Sequence, residues 1–107
     1  MLPCQVVRAV PHPSQADLNL PNVLFALSDP TRLLIVKALA AEGGLTCAAV
    51  NVPLSKSSCS RHWKVLREAG IVQMRPQGTA YLNSLRRSDL DARFPGLLAA
   101  VLRSATC

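Results

Sequence analysis

A helical pattern over residues 56–69 constrains the fold more than any other feature of the sequence. At 100° per residue, Trp63, Leu66 and Gly70 fall within about 40° of Cys59, so they share one apolar face. The opposite face, about 140–200° away, is polar; it carries Ser57, Arg61, Lys64 and Glu68. The pattern therefore predicts a helix that packs its indole inward and presents a basic, hydroxyl-rich side to solvent, with Gly70 as its C-terminal stop.

The periodicity changes directly after this helix. Residues 71–75 and 79–85 are typical of strands, and between them lies Pro76-Gln77-Gly78, in which proline presets one turn position and glycine supplies a positive φ. This arrangement predicts a β-hairpin immediately after a long helix. A helix followed by such a hairpin is the arrangement of a winged helix, in which the hairpin is the wing.

The rest of the chain predicts further helices. They are expected at residues 21–28, at residues 30–42 with Asp29 as N-cap, at residues 47–52 with Thr46 as N-cap, and from a capping box at Ser88 onward. Pro95 is expected to kink the last helix or to split it. Residues 1–16 contain three prolines and predict an extended arm, and residues 17–107 form one domain. The fold class is mainly α with a small β-hairpin wing (α+β), a winged helix-turn-helix.

The positive charge of the chain is concentrated around the predicted helix and hairpin. The formal net charge is +6, and the stretch from Lys56 to Arg87 carries seven basic residues against Glu68 alone, which accounts for all of it. An anionic partner is therefore expected. The major groove of duplex DNA admits one helix whose Arg, Lys, Ser and His side chains meet base edges and phosphates. The alternative is that the basic stripe is only a solvated helix face.

Two segments resemble a known family. Residues 27–33 (LSDPTRL) and 54–72 (LSKSSCSRHWKVLREAGIV) are similar to the ArsR family of bacterial winged-helix repressors, and the resemblance covers about residues 20–103. It implies a homodimer that forms through the first and last helices, binds an imperfect inverted repeat and is released by an effector. The apolar stripe of the last helix independently favours a dimer, since a small domain cannot cover it alone. The alternative is that this apolar stripe packs within one chain, as part of its hydrophobic core.

The resemblance also implies which residues contact DNA. The expected contacts lie on the helix and on the hairpin turn: Lys56, Ser57, Ser58, Ser60, Arg61, His62, Lys64, Arg75, Gln77, Gly78 and Thr79. For His62, packing at the edge of the apolar face is an equal alternative to phosphate contact.

Four cysteines raise the question of an effector. Cys47 stands alone where relatives carry a Cys-x-Cys pair, and the last helix has no histidine, so a four-ligand zinc or nickel site there is excluded. At the first turn of a helix, the Cys47 thiolate would be favoured. Cys4, Cys47 and Cys107 are then expected to bind trivalent arsenic or antimony, or to form a redox disulfide. The alternative is that Cys47 is a small buried residue and the other two have no role; Cys59 is expected in the core.

Other classes of protein fit less well. Neither histidine lies near a plausible nucleophile, and the chain has no glycine-rich phosphate loop, so it is not expected to be an enzyme. No apolar run approaches the roughly 20 residues of a membrane helix, and no secretory signal precedes the domain, which predicts a cytoplasmic protein without a membrane partner. The functional alternative to a repressor is a winged-helix module that contacts protein or RNA without an effector.

Overall fold

The structure, a computed structural model, describes residues 8–50 and 55–104. A single 3-10 turn (Gln15–Asp17) precedes the first helix. The helices are α1 (Leu20–Ala26), α2 (Pro30–Glu42), α3 (Lys56–Glu68), α4 (Arg87–Arg93) and α5 (Leu97–Ser104), and the strands are β1 (Leu45–Thr46), β2 (Val72–Gln77) and β3 (Ala80–Leu85). This arrangement confirms the predicted fold class of a mainly α protein with a hairpin wing.

Local side-chain caps determine where the first three helices begin. The side chain of Asn19 accepts a hydrogen bond from the backbone N–H of Asn22 at 2.9 Å, which caps α1. Asp29 caps α2 by accepting from the N–H groups of residues 31 and 32 at 2.8 and 3.1 Å. Ser55 caps α3 by accepting from the N–H of Ser58 at 3.3 Å. The predicted caps of α2 and α3 are therefore confirmed.

The three strands form one antiparallel sheet in the order β1-β3-β2. Strands β2 and β3 pair from Val72 opposite Leu85 to Gln77 opposite Ala80, which confirms the predicted hairpin. The predicted turn is displaced: Pro76 and Gln77 are paired residues of β2, and Gly78 and Thr79 alone connect the strands. The two residues of β1 extend the sheet, with Leu45 opposite Asn83. This added strand ties the segment after α2 to the hairpin.

The core lies between α2, α3 and the start of the hairpin. Its fully buried side chains include Ile35 and Leu39 of α2, Leu66 of α3, and Ile71 just before β2. These apolar contacts fix how α3 sits on the rest of the domain.

The helix predicted over residues 47–52 is not present in its described part. Residues 47–50 form turns, and residues 51 and 52 lie outside the described residues. The N–H of Ala49 donates to the carbonyl and hydroxyl oxygens of Thr46 at 3.1 and 3.3 Å, so Thr46 stabilises a turn as expected. The pairing of Thr46 in β1 competes with helix nucleation, which is costly for a segment this short.

The capping box predicted at Ser88 is also wrong, because the helix begins one residue earlier. The N-cap position of α4 is Arg86, and its side chain makes no capping bond. Asp89 instead forms an ion pair with Arg86, whose Nε and Nη2 atoms both lie 3.0 Å from its carboxylate. As predicted, the terminal helix is interrupted at Pro95: α4 ends at Arg93, and α5 begins after Gly96, whose φ is +83°.

Candidate nucleic-acid interface

Helix α3 has the orientation that its sequence pattern predicts. Trp63 is 3% exposed and Leu66 is fully buried, so the apolar face packs against the core. The predicted contact residues of the opposite face are exposed: Ser57, Ser58, Ser60, Arg61 and Lys64. Lys56 begins the helix, and its side chain lies outside the description. Hydroxyl and cationic side chains thus share one solvent-facing surface, and this set is called the α3 face below.

The wing presents a second polar surface. Arg75 and Gln77 at the end of β2, and Gly78 and Thr79 in the turn, are all exposed. Gly78 has a φ of +65°, the left-handed conformation that the turn requires. Hydrogen-bond donors and acceptors at the wing tip are therefore free to meet a partner.

His62 is held inside the protein more firmly than the sequence indicates. Its side chain is 15% exposed, and its Nδ1 atom lies 3.0 Å from Nη1 of Arg32 and 3.8 Å from a carboxylate oxygen of Asp29. A guanidinium only donates, so Nδ1 accepts and the neutral ring carries its proton on Nε2. The side chain of His62 therefore packs at the edge of the apolar face, which is one of the two alternatives that the sequence left open.

Arg32 is a positioning residue that sequence reasoning missed. It is only 7% exposed, its Nε donates to the carbonyl of Ala26 at 2.6 Å and its Nη2 donates to the carbonyl of Phe25 at 3.1 Å. These carbonyls lie at the C-terminal end of α1, where helix carbonyls lack partners and a cation is favoured. Together with its bond to His62, this buried side chain connects α1, α2 and α3. Its only sequence signal was its place in the segment LSDPTRL.

Asp29 completes this junction. Burial would raise the pKa of its carboxyl group, but the N–H groups of Arg32 and Thr31 and the Arg32 guanidinium lower that pKa below its ordinary value. The carboxylate thus stays ionised as the N-cap of α2.

The N-terminal arm packs against α3 and the hairpin. The arm's backbone carbonyls accept hydrogen bonds from side chains of the domain: Arg67 to Pro11 at 2.7 Å, Tyr81 to Arg8 at 2.8 Å and Arg86 to Pro13 at 2.6 Å. Just after the arm, Arg93 donates to the carbonyl of Leu18 at 2.6 Å. Two residues of the basic stretch, Arg67 and Arg86, therefore bind the arm. The surface that remains open to an anionic partner is the α3 face and the wing tip.

Among the described residues, His12 is the one arm residue whose side chain forms a hydrogen bond with the backbone of the sheet. Its Nε2 atom accepts a hydrogen bond from the N–H of Met74 at 3.0 Å. Burial, followed by the charges of Arg67 and Arg86, lowers the pKa of His12, while the backbone of Val10 acts in the opposite direction. The arm is therefore docked with a neutral imidazole.

The prediction of an activated Cys47 thiolate is wrong. No helix begins at Cys47, and burial raises the pKa of its thiol, an effect that the side chain of Asn83, 3.5 Å from the sulfur, only partly offsets. Cys59 is half-buried and packs against the core, in line with its predicted place. Cys4 and Cys107 lie outside the described residues. Within residues 8–50 and 55–104, no group of three or more His, Cys, Asp or Glu side chains is placed to hold a metal ion.

None of the helices in the described part of the chain combines the length and apolar character needed to cross a membrane.

Comparison with known proteins places this geometry among regulators of transcription. Residues 27–75 match a helix-turn-helix domain family. The chain is 37% identical over 88 residues to the uncharacterised HTH-type transcriptional regulator YceK of Bacillus subtilis, and this alignment covers 78% of this chain and 88% of YceK. It is 41% identical over 60 residues to the uncharacterised HTH-type transcriptional regulator MJ1325 of Methanocaldococcus jannaschii, and this alignment covers 54% of this chain and 67% of MJ1325.

A solved structure has a similar fold. The crystal structure of the ArsR family transcriptional regulator RHA00566 superposes with a TM-score of 0.63 at 19% sequence identity, over 81% of this chain and 91% of that one. At this level of identity the likeness is one of fold.

Proposed function

Because the chain belongs to the helix-turn-helix transcriptional regulators and has the winged-helix fold of the ArsR family, we propose that it is a sequence-specific repressor. It binds an imperfect inverted repeat in duplex DNA as a homodimer. Regulators of this class are not enzymes, and the chain carries out no catalysis of its own. The observation that supports this proposal most directly is the exposed, cationic α3 face opposite a buried Trp63.

The α3 face supplies the groups that read DNA in this proposal. Arg61 lies at its centre, and a guanidinium forms paired hydrogen bonds with the O6 and N7 atoms of guanine in the major groove. The N-terminal serines and Lys64 bind phosphates and fix the register of the helix. The remaining proposed contacts of α3 are Lys56, Ser57, Ser58 and Ser60. His62 has its Nδ1 bound to Arg32, so only its Nε2–H is left to donate to a phosphate.

The wing supplies the flanking contacts. Arg75, Gln77, Gly78 and Thr79 are exposed at one end of the hairpin. An exposed arginine beside a glycine-containing tip suits the narrow minor groove or the backbone next to the site of α3. The helix and the wing together then cover one half-site.

Exposed apolar side chains support the homodimer. Leu20, Leu24, Phe25 and Leu34 are 42–63% exposed, although all four are large and hydrophobic. Three of them lie on α1, the first helix, which is one of the two proposed to form the interface. A two-fold dimer buries such a patch against its own copy and places two α3 helices on the two halves of an inverted repeat.

A thiol-reactive effector is proposed to release the repressor. The raised pKa of Cys47 disfavours oxidation, because the thiolate is the reactive form. Trivalent arsenic or antimony remains the effector proposed for Cys4, Cys47 and Cys107, because its hydroxide ligands take up the thiol protons and leave as water when the soft sulfur atoms bind. The proposed location is the cytoplasm.

The proposal is tested by comparing the affinity of the full chain for two DNA duplexes. One carries the sequence upstream of the protein's own reading frame, and the other carries a shuffled version of that sequence. Fluorescence anisotropy at several salt concentrations should show tighter binding to the upstream duplex and a steep salt dependence that reflects several phosphate contacts. Equal affinity for the two duplexes would contradict a sequence-specific repressor. Weak, salt-insensitive binding to both would instead favour a winged-helix module for protein or RNA contact.

A further inference from the structure

A cavity of about 810 Å³ lies between α3, the hairpin, the turn after β1 and the arm. Its walls include Val10 of the arm, Cys47 of the turn, Cys59 and Trp63 of α3, and Met74 of β2. Binding sites for organic ligands typically have volumes of about 300–1,000 Å³ and mostly apolar walls, so both the size and the lining of this cavity are in that range. Neither the fold nor the proposed DNA contacts require a space of this kind.

The charged groups that line the cavity are basic. Lys64 and Arg67 line it, and no aspartate or glutamate does. Lys64 makes no ion pair with any described residue, whereas Arg67 donates to the carbonyl of Pro11 and lies 3.9 Å from the carboxylate of Glu68. An unneutralised ammonium group beside an apolar space favours a ligand that carries a negative charge.

Trp63 contributes an apolar part of the wall. Its side chain lines the cavity and is 3% exposed, so the indole ring offers a ligand an apolar packing surface. Its Nε1–H is buried, has no hydrogen-bond partner among the described residues and does not face the open space. The Cys47 thiol on the facing wall, whose pKa burial raises, is neutral and adds polarisable surface rather than charge.

We propose that this cavity binds an apolar organic anion, with the apolar body against Trp63 and Met74 and the anionic group toward Lys64. Ser60, Lys64 and Thr79 both line the cavity and belong to the proposed DNA contacts. A ligand held there occupies these side chains, so it competes with DNA and acts as an inducer. This regulatory part rests on the proposed function, whereas the binding site itself does not.

Trp63 is the only tryptophan of the chain, and its fluorescence therefore reports on the cavity without any DNA. The probe is 4-phenylbutyrate, compared with the neutral 4-phenylbutan-1-ol and with inorganic phosphate. We expect a saturable change in Trp63 fluorescence with a Kd below about 1 mM for the carboxylate, and binding at least about tenfold weaker for the alcohol and for phosphate. The absence of saturation, or equal affinity for the three probes, would overturn the site.

Two substitutions of the same kind test where the ligand binds. Ala80 lines the cavity from β3, where an aromatic residue suits a strand, so Ala80→Phe should fill the space and weaken 4-phenylbutyrate binding by about tenfold or more. Ala92→Phe adds the same ring to an exposed position of α4, outside the cavity, and should leave binding unchanged. Urea unfolding shows whether both variants keep the fold. An equal loss in the two folded variants would overturn the proposed location.

A separate measurement tests the competition. Saturating 4-phenylbutyrate should release the upstream duplex from the wild-type protein and fail to release it from Ala80→Phe. If fluorescence shows binding but the duplex stays bound, the inducer role is wrong. If the duplex binds specifically but fluorescence shows no ligand, the cavity proposal fails while the repressor proposal stands.

Discussion

The Nη1 atom of Arg32 lies 3.0 Å from Nδ1 of His62, so a buried guanidinium on α2 holds the helix that presents the α3 face. The same guanidinium caps the C-terminal carbonyls of α1 and lies over the Phe25 ring at 5.3 Å. One side chain thus determines how α1, a proposed dimer helix, is placed relative to α3.

Replacement of Arg32 by alanine is expected to lower the free energy of unfolding by about 3 kcal/mol, because two buried carbonyls and His62 lose their donor. Lys37→Ala, which removes an exposed cation from the same helix, should change it by less than about 0.5 kcal/mol. Urea unfolding at neutral pH measures both. Equal, small losses would show that the Arg32 bonds contribute little.

Trp63→Ala is expected to destabilise the protein by about 3–5 kcal/mol, since the indole is 3% exposed and its removal leaves a void beside Leu66. Lys64→Ala, at the adjacent and exposed position, provides the control and should unfold close to wild type. Thermal and urea unfolding give the two values. A loss below about 1 kcal/mol for Trp63→Ala would contradict the orientation of α3.

Gly70 tests the packing of the arm against the end of α3. Its φ is +86°, and an added Cβ would overlap the buried side chain of Leu18 and lie 3.3 Å from Pro13. Gly43 has a φ of +89° with open space around it, so Gly43→Ala isolates the backbone cost of about 1 kcal/mol. Gly70→Ala should cost a further 1–3 kcal/mol or so from overpacking. Equal costs for both variants would mean that Leu18 and Pro13 do not pack against Gly70.

His12 should make arm docking depend on pH. Its pKa is lowered by burial and by the charges of Arg67 and Arg86, so the undocked arm binds a proton more readily than the docked arm. Docking is therefore complete above pH of about 6.5, the ordinary histidine pKa, and weakens as pH falls from there through the lowered pKa.

Nuclear magnetic resonance tests this prediction, since the chain has only two histidines and their ring signals can be followed separately. The ring signals of His12 should titrate with a midpoint below about 6.5, and the amide signal of Met74 should shift with the same midpoint. The His62→Gln variant assigns the remaining signal to His12. A midpoint at or above the ordinary histidine value would refute the lowered pKa.

The parts of this fold that the sequence predicts are those that depend on local pattern. The period of α3 placed Trp63 inside and Arg61 outside, and Asp29 and Ser55 marked two helix starts, because caps and helix faces involve residues only a few positions apart. The hairpin followed from the local strand pattern and from Gly78, whereas Pro76, expected in the turn, is a paired residue of β2.

Long-range contacts account for what the sequence did not predict. The arm is held through its backbone carbonyls. Because every residue has a carbonyl, no sequence motif predicts which of them accept the hydrogen bonds from Arg67 and Arg86. Strand β1 exists only because β3 lies beside it, and that pairing replaced the helix expected from Thr46 onward. The cavity likewise combines residues from four separate segments.

The central claim, that the α3 face recognises DNA, is tested most directly by Arg61→Ala. Anisotropy should be measured on the upstream and shuffled duplexes, with Lys37→Ala, which removes an exposed cation from α2, as the control. Arg61→Ala should weaken binding to the upstream duplex by about 1–3 kcal/mol and reduce the preference over the shuffled one, with unfolding unchanged. Wild-type affinity and preference in Arg61→Ala would contradict the account.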